Sequence, residues 1–384
     1  MLFLMGPRQV GKTTLCRGLD EEFENYMYFT WDAEEDQELI LQGSGAVARA
    51  LGLPRLAGKL LITFDEIHKY KRWKLFLKGL YDKYMKTVSI VVTGSARLDV
   101  FCRGGDSLMG RYLSYRVHPL SVAELIDPHT IPRQLISPSR KLPQDQIAML
   151  LKFGGFPDPL LKQDQRFYNR WKALRHQQLF REDLRDLTHV QSIDQLELLA
   201  EMIRRQVGQQ TSYGSLAKKI RVADTTVRNW IKILQSFYYC FELRPWSKNV
   251  VKSLLKEPKY YLWDWSQCAD EGSRSENLIA SHLLKAVHFW NDHGFGEFSL
   301  HYLRDKNKRE VDFIVIKEGK PWFIVEVKNS LNHGISPALH YYFEQLKPEY
   351  AFQVVMDQPY VEADCFSHNE PVIVPAATFL SQLV

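Results

Sequence analysis

The feature that most constrains this chain is a glycine-framed run directly after its first apolar residues. Met1–Met5 is apolar and strand-length, and Gly6–Thr13 fits G-x-x-x-x-G-K-[ST] at every position. Glycines at this spacing let the backbone curl until its N–H groups surround a phosphate, and the following helix adds its positive end. The pattern needs a strand before it and a helix after it, so it predicts an α/β domain with a parallel sheet.

Composition excludes several other classes of protein. The 384 residues are 45% hydrophobic and 25% charged, which is typical of a globular chain of two or three domains. The five cysteines are scattered and form no C-x-x-C pair, so we expect reduced thiols, not disulfides or structural zinc. No apolar run approaches the roughly 20 residues of a membrane span, and no secretory leader is recognisable. We therefore expect a cytoplasmic protein without a membrane partner.

Two further apolar strands complete the predicted phosphate site. Leu60–Phe64 ends at Asp65, a candidate Mg²⁺ ligand together with Thr13, and at Glu66, a candidate base for the attacking water. The next strand, Ser89–Thr93, ends in small polar residues, so Thr93 or Ser95 is a candidate hydrogen-bond partner of that water or of the γ-phosphate. The alternative for this third segment is an ordinary strand-ending turn. The predicted nucleotide contacts are Gly6, Pro7, Arg8, Gln9, Val10, Gly11, Lys12, Thr13 and Thr14.

Together these motifs resemble one family over nearly the whole chain. The shared segments are Gly6–Leu15, Phe64–Lys69, Thr93–Ser95, Gly110–Arg111 and His118–Leu125. The resemblance continues through Gly154–Pro157 and Arg181–Leu184 to the C-terminal Glu-x-Lys region. They resemble AAA-type ATPases of bacteria and archaea that carry a C-terminal nuclease-like domain of unknown function. The resemblance implies ATP and Mg²⁺ as ligands. Arg111 is a candidate charge-stabilising finger, in cis or across a subunit boundary of a homo-oligomer, with a structural salt bridge or a DNA contact as the alternatives.

The middle of the chain is basic. Residues 204–259 contain twelve Lys or Arg against three Asp or Glu, a local charge of +9 in a chain of net charge +5. Ser215–Leu234 has the pattern of a helix-turn-helix, and Tyr238–Pro245 with Lys259–Trp263 would form wing strands, so the module looks like a winged helix. The expected core residues are Leu216, Ala217, Ile220, Val227, Ile231 and Leu234. Duplex DNA would then meet Arg228, Asn229 and Lys232; the alternative is an internal joint that binds no nucleic acid.

The C-terminal part combines two carboxylates and a lysine. Asp312 begins one predicted strand, and Glu326 and Lys328 share a face of the next because side chains alternate along a strand. This arrangement resembles the restriction-endonuclease-like PD-(D/E)xK fold, and Glu276 matches an extra acid of such nucleases. Asp312 and Glu326 would hold Mg²⁺, while Lys328 would orient water or stabilise charge. A decayed nuclease fold or a surface ion pair is the alternative.

We therefore predict an α/β protein in four parts. These are an AAA-type ATPase domain over residues 1–128, a helical linker over 129–204, a winged-helix-like module over 205–263 and a restriction-endonuclease-like α/β domain over 264–384. We expect ATP binding and hydrolysis coupled to nucleic-acid binding or processing, with nuclease activity left open. The alternative is a nucleotide-dependent regulatory or scaffolding protein whose nuclease-like domain binds partners and cuts nothing.

Overall fold

The computed structural model describes residues 1–56, 58–94, 108–128, 133–143, 145–184, 192–247, 257–331 and 334–384. These residues divide into two compact units, Met1–His118 and Pro119–Val384. The first unit ends ten residues before the predicted boundary at 128, and the four-part division stays a prediction. Over the residues just given, no helix is both long and apolar enough to cross a bilayer.

The first unit contains a five-stranded sheet whose strands all pair in parallel, as predicted. Its order is β2-β3-β4-β1-β5, so β4 lies between β1, the strand before the glycine loop, and β3. The strands are β1 (Leu2–Met5), β2 (Tyr26–Thr30), β3 (Leu60–Asp65), β4 (Val88–Thr93) and β5 (Leu113–Arg116). The helices are α1 (Lys12–Arg17), α2 (Glu34–Leu41), α3 (Ser44–Ala50) and α4 (Trp73–Tyr84), with short 3₁₀ turns at Gly18–Asp20, Leu53–Arg55 and Ile67–Lys69.

Burial explains which strands and helices of the first unit can be recognised from the sequence. Every residue of β3 is buried, and β4 is buried apart from Ser89, because both strands lie inside the sheet. Helix α4 turns Trp73, Phe76 and Leu80 into the same core as strand residue Phe3. The edge strands β2 and β5 bury far less: Phe29 is the one buried residue of β2, and β5 has none.

The second unit begins with helices and a small hairpin. The helices are α5 (Val122–Ile126), α6 (Gln146–Phe153), α7 (Pro157–Lys162), α8 (Gln165–Gln177), α9 (Ile193–Arg205), α10 (Tyr213–Ile220) and α11 (Asp224–Ser236), with a π-helical segment at Gln178–Asp183. Strands β6 (Cys240–Leu243) and β7 (Lys259–Leu262) then pair antiparallel. All six residues expected to form the helix-turn-helix core are buried. Four aromatic residues in and after β7 are also buried, so they pack in the core and are not exposed for stacking on a base: Tyr260, Tyr261, Trp263 and Trp265.

A mixed sheet of order β12-β11-β10-β9-β8 completes the second unit. Its strands are β8 (Phe298–Arg304), β9 (Glu310–Lys317), β10 (Lys320–Lys328), β11 (Tyr350–Val355) and β12 (Val372–Pro375). The helices here are α12 (Glu271–Asp292), α13 (Pro337–Leu346) and α14 (Ala376–Ser381), with 3₁₀ turns at Trp265–Gln267 and Cys365–Ser367. Helix α12 begins at Glu271, five residues before Glu276. The Asp270 side chain caps it there, because it accepts a hydrogen bond from the Ser273 N–H at 2.9 Å.

Candidate functional site

The glycine loop of the first unit is held closely by its own backbone and by Lys12. A Cβ on Gly6 would lie 2.3 Å from the Val117 carbonyl oxygen, so only glycine fits there. The Lys12 ammonium donates to the Gly6 carbonyl at 2.9 Å and to the Pro7 carbonyl at 2.5 Å. Burial lowers the pKa of Lys12 to about 8. The lysine is thus buried against the loop that the sequence assigns to phosphates.

Asp65 meets two hydroxyl groups at the end of β3. Thr13 Oγ1 donates to Asp65 Oδ2 at 2.9 Å, and the Tyr28 hydroxyl donates to the same oxygen at 2.6 Å. The structure thus brings together the two predicted Mg²⁺ ligands, and a hydroxyl beside a carboxylate is a donor set that suits this ion. Sequence analysis missed Tyr28, which lies on the edge strand β2 and has no local motif around it.

Glu66 and Thr93 lie side by side where β3 and β4 end. The register pairs Asp65 with Thr93, and the Glu66 N–H donates to the Thr93 carbonyl at 2.9 Å. Glu66 has a left-handed φ of 55°, a strained backbone for this residue type. Glu66 Oε2 and Thr93 Oγ1 are buried and make no hydrogen bond within the described residues, although Lys69 Nζ is 3.5 Å from Glu66 Oε2. Burial raises the pKa of Glu66. Ser95 lies outside the described residues. We call Lys12, Thr13, Asp65 and Glu66 the nucleotide site.

Arg111 takes a structural position. Its Nε lies 2.7 Å from Asp82 Oδ1, and its Nη2 lies 3.2 Å from Asp82 Oδ2, a bidentate pair with a residue of α4. This geometry agrees with the structural salt bridge that the sequence analysis gave as one alternative for Arg111. It offers no support for the finger role, which stays a prediction.

In the second unit, Asp312 and Glu326 lie on one face of the mixed sheet. Strands β9 and β10 pair Phe313 with Val325, and one further step in that antiparallel register puts Asp312 opposite Glu326. Lys328 Nζ is 2.7 Å from Glu326 Oε1. Burial, and then the charge of Asp312, raises the pKa of Glu326 to about 7, while Glu326 Oε2 is buried and has no partner in the described part of the chain.

A buried lysine, Lys259, contacts two further acidic residues, Glu310 and Glu276. Lys259 of β7 is 2% exposed, and its Nζ lies 2.6 Å from Glu310 Oε1 and 3.5 Å from Glu276 Oε1. The Tyr261 hydroxyl donates to Glu276 Oε1 at 2.7 Å. Burial, and then the charge of Asp312, raises the pKa of Glu276 to about 7, so Glu276 and Asp312 are electrostatic neighbours. We call Glu276, Glu310, Asp312 and Glu326 the acidic cluster; sequence analysis missed the role of Lys259 because its partners are distant in sequence.

In this structure the acidic cluster does not form a complete metal-coordination site. Within the described residues, no three or more His, Cys, Asp or Glu side chains are grouped in a way that could hold an ion. The predicted pair, Asp312 and Glu326, shares a face, and the unpartnered Glu326 oxygen is a suitable ligand atom. Side-chain adjustment would be needed to bring in a third carboxylate.

The predicted DNA-facing residues of α11 are exposed. Arg228, Asn229 and Lys232 point away from the buried residues Val227, Trp230 and Ile231 of the same helix. The Arg228 guanidinium stacks on the Tyr213 ring at 4.0 Å from its centroid.

Comparison with protein families identifies three segments. Residues 1–126 match the AAA domain family, which supports a P-loop AAA-type ATPase domain in the first part of the chain. Residues 144–269 match the domain of unknown function DUF8612, and residues 271–363 match the domain of unknown function DUF4143. These two matches assign no chemistry to the second unit.

Similar whole proteins are themselves uncharacterised. A protein of Methanocaldococcus jannaschii is 24% identical over 367 residues, covering 85% of this chain and 75% of that protein. A protein of Mycobacterium tuberculosis is 24% identical over 346 residues, covering 88% of this chain and 72% of that protein. Among solved structures, the S. cerevisiae Hsp104-ADP complex covers 76% of this chain and 43% of its own at 14% identity, but its TM-score of 0.29 is too low to support an argument. The AAA-type nucleotide-binding domain is therefore the part of the chain that the comparisons identify.

Proposed function

We propose that the first unit binds Mg²⁺·ATP and hydrolyses it. The observation that carries this proposal is the contact between Thr13, in the first turn of the helix after the glycine loop, and Asp65, which lies beside Glu66 at the carboxyl end of β3. Thr13 and Asp65 would hold Mg²⁺, which would offset charge on the phosphates. Lys12 would exchange its bonds to loop carbonyls for bonds to the β- and γ-phosphates.

The water-activating role in this proposal belongs to Glu66. Glu66 Oε2 makes no hydrogen bond within the described residues and can accept one from a water, although Lys69 Nζ lies 3.5 Å and His68 Nε2 lies 3.6 Å from it. Thr93 Oγ1, which also makes no hydrogen bond among these residues, lies on the adjoining strand end. Glu66→Gln would keep the shape but remove the acceptor strength of the carboxylate.

Steady-state ATP hydrolysis with and without Mg²⁺ tests this proposal. We expect Glu66→Gln to bind ATP normally but to hydrolyse it at least about 100-fold more slowly, the scale of a lost general base. The matched control is Glu21→Gln, an exposed acid of the same unit. Hydrolysis at the wild-type rate by Glu66→Gln would show that Glu66 does not have this role.

We further propose that the second unit couples the ATPase to nucleic acid through α11. Three exposed polar residues on one helix of a three-helix and hairpin module, in a region of charge +9, support this coupling. Replacing Arg228 and Lys232 by Ala should reduce the salt dependence of duplex affinity by roughly two units, at about 0.9 per phosphate neutralised. The charge-matched control is Arg166→Ala with Lys306→Ala, two exposed residues outside the basic region. An unchanged slope would favour the internal-joint alternative.

A metal-dependent nuclease activity at the acidic cluster is the second candidate. Its support is the shared face of Asp312, Glu326 and Lys328. If the site cuts, Asp312→Ala and Glu326→Ala should remove both metal binding and cleavage, whereas Lys328→Ala should keep the metal and slow the chemistry. Metal binding without cleavage of any DNA or RNA would favour the regulatory or scaffolding alternative.

A further inference from the structure

A cavity of about 620 Å³ in the second unit has no part in the functions proposed above. Its walls come from α6, α8, α9 and the first turn of α12. The volume is within the roughly 300–1,000 Å³ of small-molecule sites. The lining includes two lysines, two arginines and one histidine: Lys152, Lys172, Arg204, Arg274 and His176.

The charge of this cavity is positive. Glu201 is the acidic residue of the lining, and Arg204 donates to its two carboxylate oxygens at 2.7 Å each, while Arg205 donates at 2.6 Å. These bonds, first those from Arg204, lower the pKa of Glu201 to about 2, so the carboxylate is ionised and fully compensated at neutral pH. Among the residues that the structure describes, no acidic side chain forms an ion pair with Lys152, Lys172 or Arg274, so these three charges are left uncompensated.

The guanidinium of Arg274 has more N–H donors than there are acceptor atoms bonded to it. Its Nη2 donates to the Cys268 carbonyl at 3.3 Å, and its Nε is buried without any acceptor among the residues the structure describes. A guanidinium has five N–H donors in a planar fork that matches an oxyanion. Lys172 approaches from α8, with its ammonium 5.3 Å from the centroid of the Tyr168 ring.

We propose that this cavity binds a phosphate monoester, held by Arg274 and Lys172. A phosphate monoester carries nearly two negative charges at neutral pH and several acceptor oxygens, which suits three uncompensated cations better than a single carboxylate does. The volume leaves room for an attached nucleoside, and Tyr168 and Tyr239 line the same cavity. Such a group can come from a free mononucleotide or from the 5′ end of a nucleic-acid strand.

Isothermal titration calorimetry on the full chain tests the proposal, with Lys12→Ala in every protein so that the nucleotide site does not contribute. The probes are AMP against adenosine, and one short single strand with and without a 5′ phosphate. We expect the phosphorylated member of at least one pair to bind more tightly. Arg274→Gln and Lys172→Gln should each weaken that binding about tenfold, the scale of a lost charge-assisted hydrogen bond. Arg166→Gln, an exposed basic residue elsewhere on α8, should change it less than about twofold.

The results separate the two sources and the failure of the proposal. A gain for AMP alone identifies a free nucleotide, and a gain for the 5′-phosphorylated strand alone identifies a strand end. Equal binding within both pairs, or wild-type affinity in both variants, overturns the proposal. Thermal denaturation checks folding, and if Arg274→Gln does not fold, Lys172→Gln decides. The result is independent of ATP hydrolysis, which has its own assay.

Discussion

The nucleotide site and the acidic cluster each contain carboxylates on or directly after buried strands, yet these carboxylates have different partners. Asp65 accepts hydrogen bonds from two neutral hydroxyls, whereas Glu310 and Glu326 are paired with Lys259 and Lys328. A carboxylate held by hydroxyls keeps its charge for a cation, but one held by an ammonium has already been neutralised in part. The comparison teaches that the acidic cluster should bind a divalent ion more weakly than the nucleotide site binds Mg²⁺·ATP.

Lys12→Ala is expected to give the largest effect and to affect the nucleotide site alone. We expect ATP affinity to fall about 1,000-fold, since the side chain would contribute two charge-assisted hydrogen bonds to phosphate. Mn²⁺ affinity of the acidic cluster should stay unchanged. Fluorescent-nucleotide titration measures the first quantity, and Lys59→Ala, an exposed lysine of the same unit, is the control. ATP affinity within tenfold of wild type would contradict the assignment.

The two units should also differ in their response to acid. His282 is buried on α12; its Nε2 accepts from the Val122 N–H at 3.1 Å and its Nδ1 donates to the Leu278 carbonyl at 2.8 Å, so the neutral ring fits. Burial lowers the pKa of His282 to about 4. The folded state therefore binds fewer protons than the unfolded chain between about pH 6.5 and 4, and this group should cost the second unit about 3 kcal/mol of stability as pH falls through that window.

Hydrogen exchange read by mass spectrometry can follow each unit separately. Peptides of α12 should lose protection toward pH 4 before peptides of β3 do, after correction for intrinsic exchange rates. His282→Gln should reduce this difference, because an amide has no proton to gain in that range. Equal acid sensitivity of the two units, with no change in the variant, would rule out His282 as the cause.

Asp312→Asn should change the acidic cluster and leave the nucleotide site unaffected. The amide oxygen can still accept the hydrogen bond that the Val327 N–H now donates at 2.8 Å, so the fold should survive. We expect Mn²⁺ affinity to fall about 30-fold from loss of a charged ligand, with ATP hydrolysis unchanged. Titration by electron paramagnetic resonance gives the metal affinity, and exposed Asp357→Asn is the control. Unaltered Mn²⁺ affinity would exclude Asp312 as a ligand.

Tyr28→Phe should give the smallest effect. It removes one of the two hydroxyl donors to Asp65, so we expect Mg²⁺·ATP affinity to fall about fivefold, the scale of one hydrogen bond. Tyr26→Phe on the same strand removes a hydroxyl that donates to the Cys16 carbonyl instead and should leave the affinity unchanged. Equal effects of the two variants would assign Tyr28 to strand packing.

The nucleotide site could be predicted from sequence because its residues are contiguous or end buried strands. Gly6–Thr13 is one segment, Asp65 follows a buried run in which Thr63 is the one polar residue, and Thr93 follows the apolar run Ile90–Val92. Tyr28 could not be predicted as part of the site, because its contact with Asp65 depends on the pairing of β2 with β3 and no local motif marks it. Strand β5 buries no residue and was also missed. Strand β11, in contrast, is five-sixths buried and apolar, so the signal was present and was overlooked.

The acidic cluster was only partly predictable for a different reason. Glu326 and Lys328 share a face by the alternation of one strand, which a sequence displays. Lys259 forms an ion pair with Glu310, which is 51 residues away in the sequence. The residues next to either one contain no pattern that predicts this contact. Such a pairing depends on which strands become adjacent, and no local propensity encodes that choice.

The close approach of Gly6 to Val117 also has a genetic consequence. The Val117 N–H donates to the Met5 carbonyl at 2.7 Å, so the backbone around the 2.3 Å approach is fixed by pairing and cannot retreat from a new methyl group. Every amino acid other than glycine carries a Cβ. Position 6 should therefore show no tolerated missense variant in a saturation library, whereas Gly18, with open space around its missing side chain, should accept several.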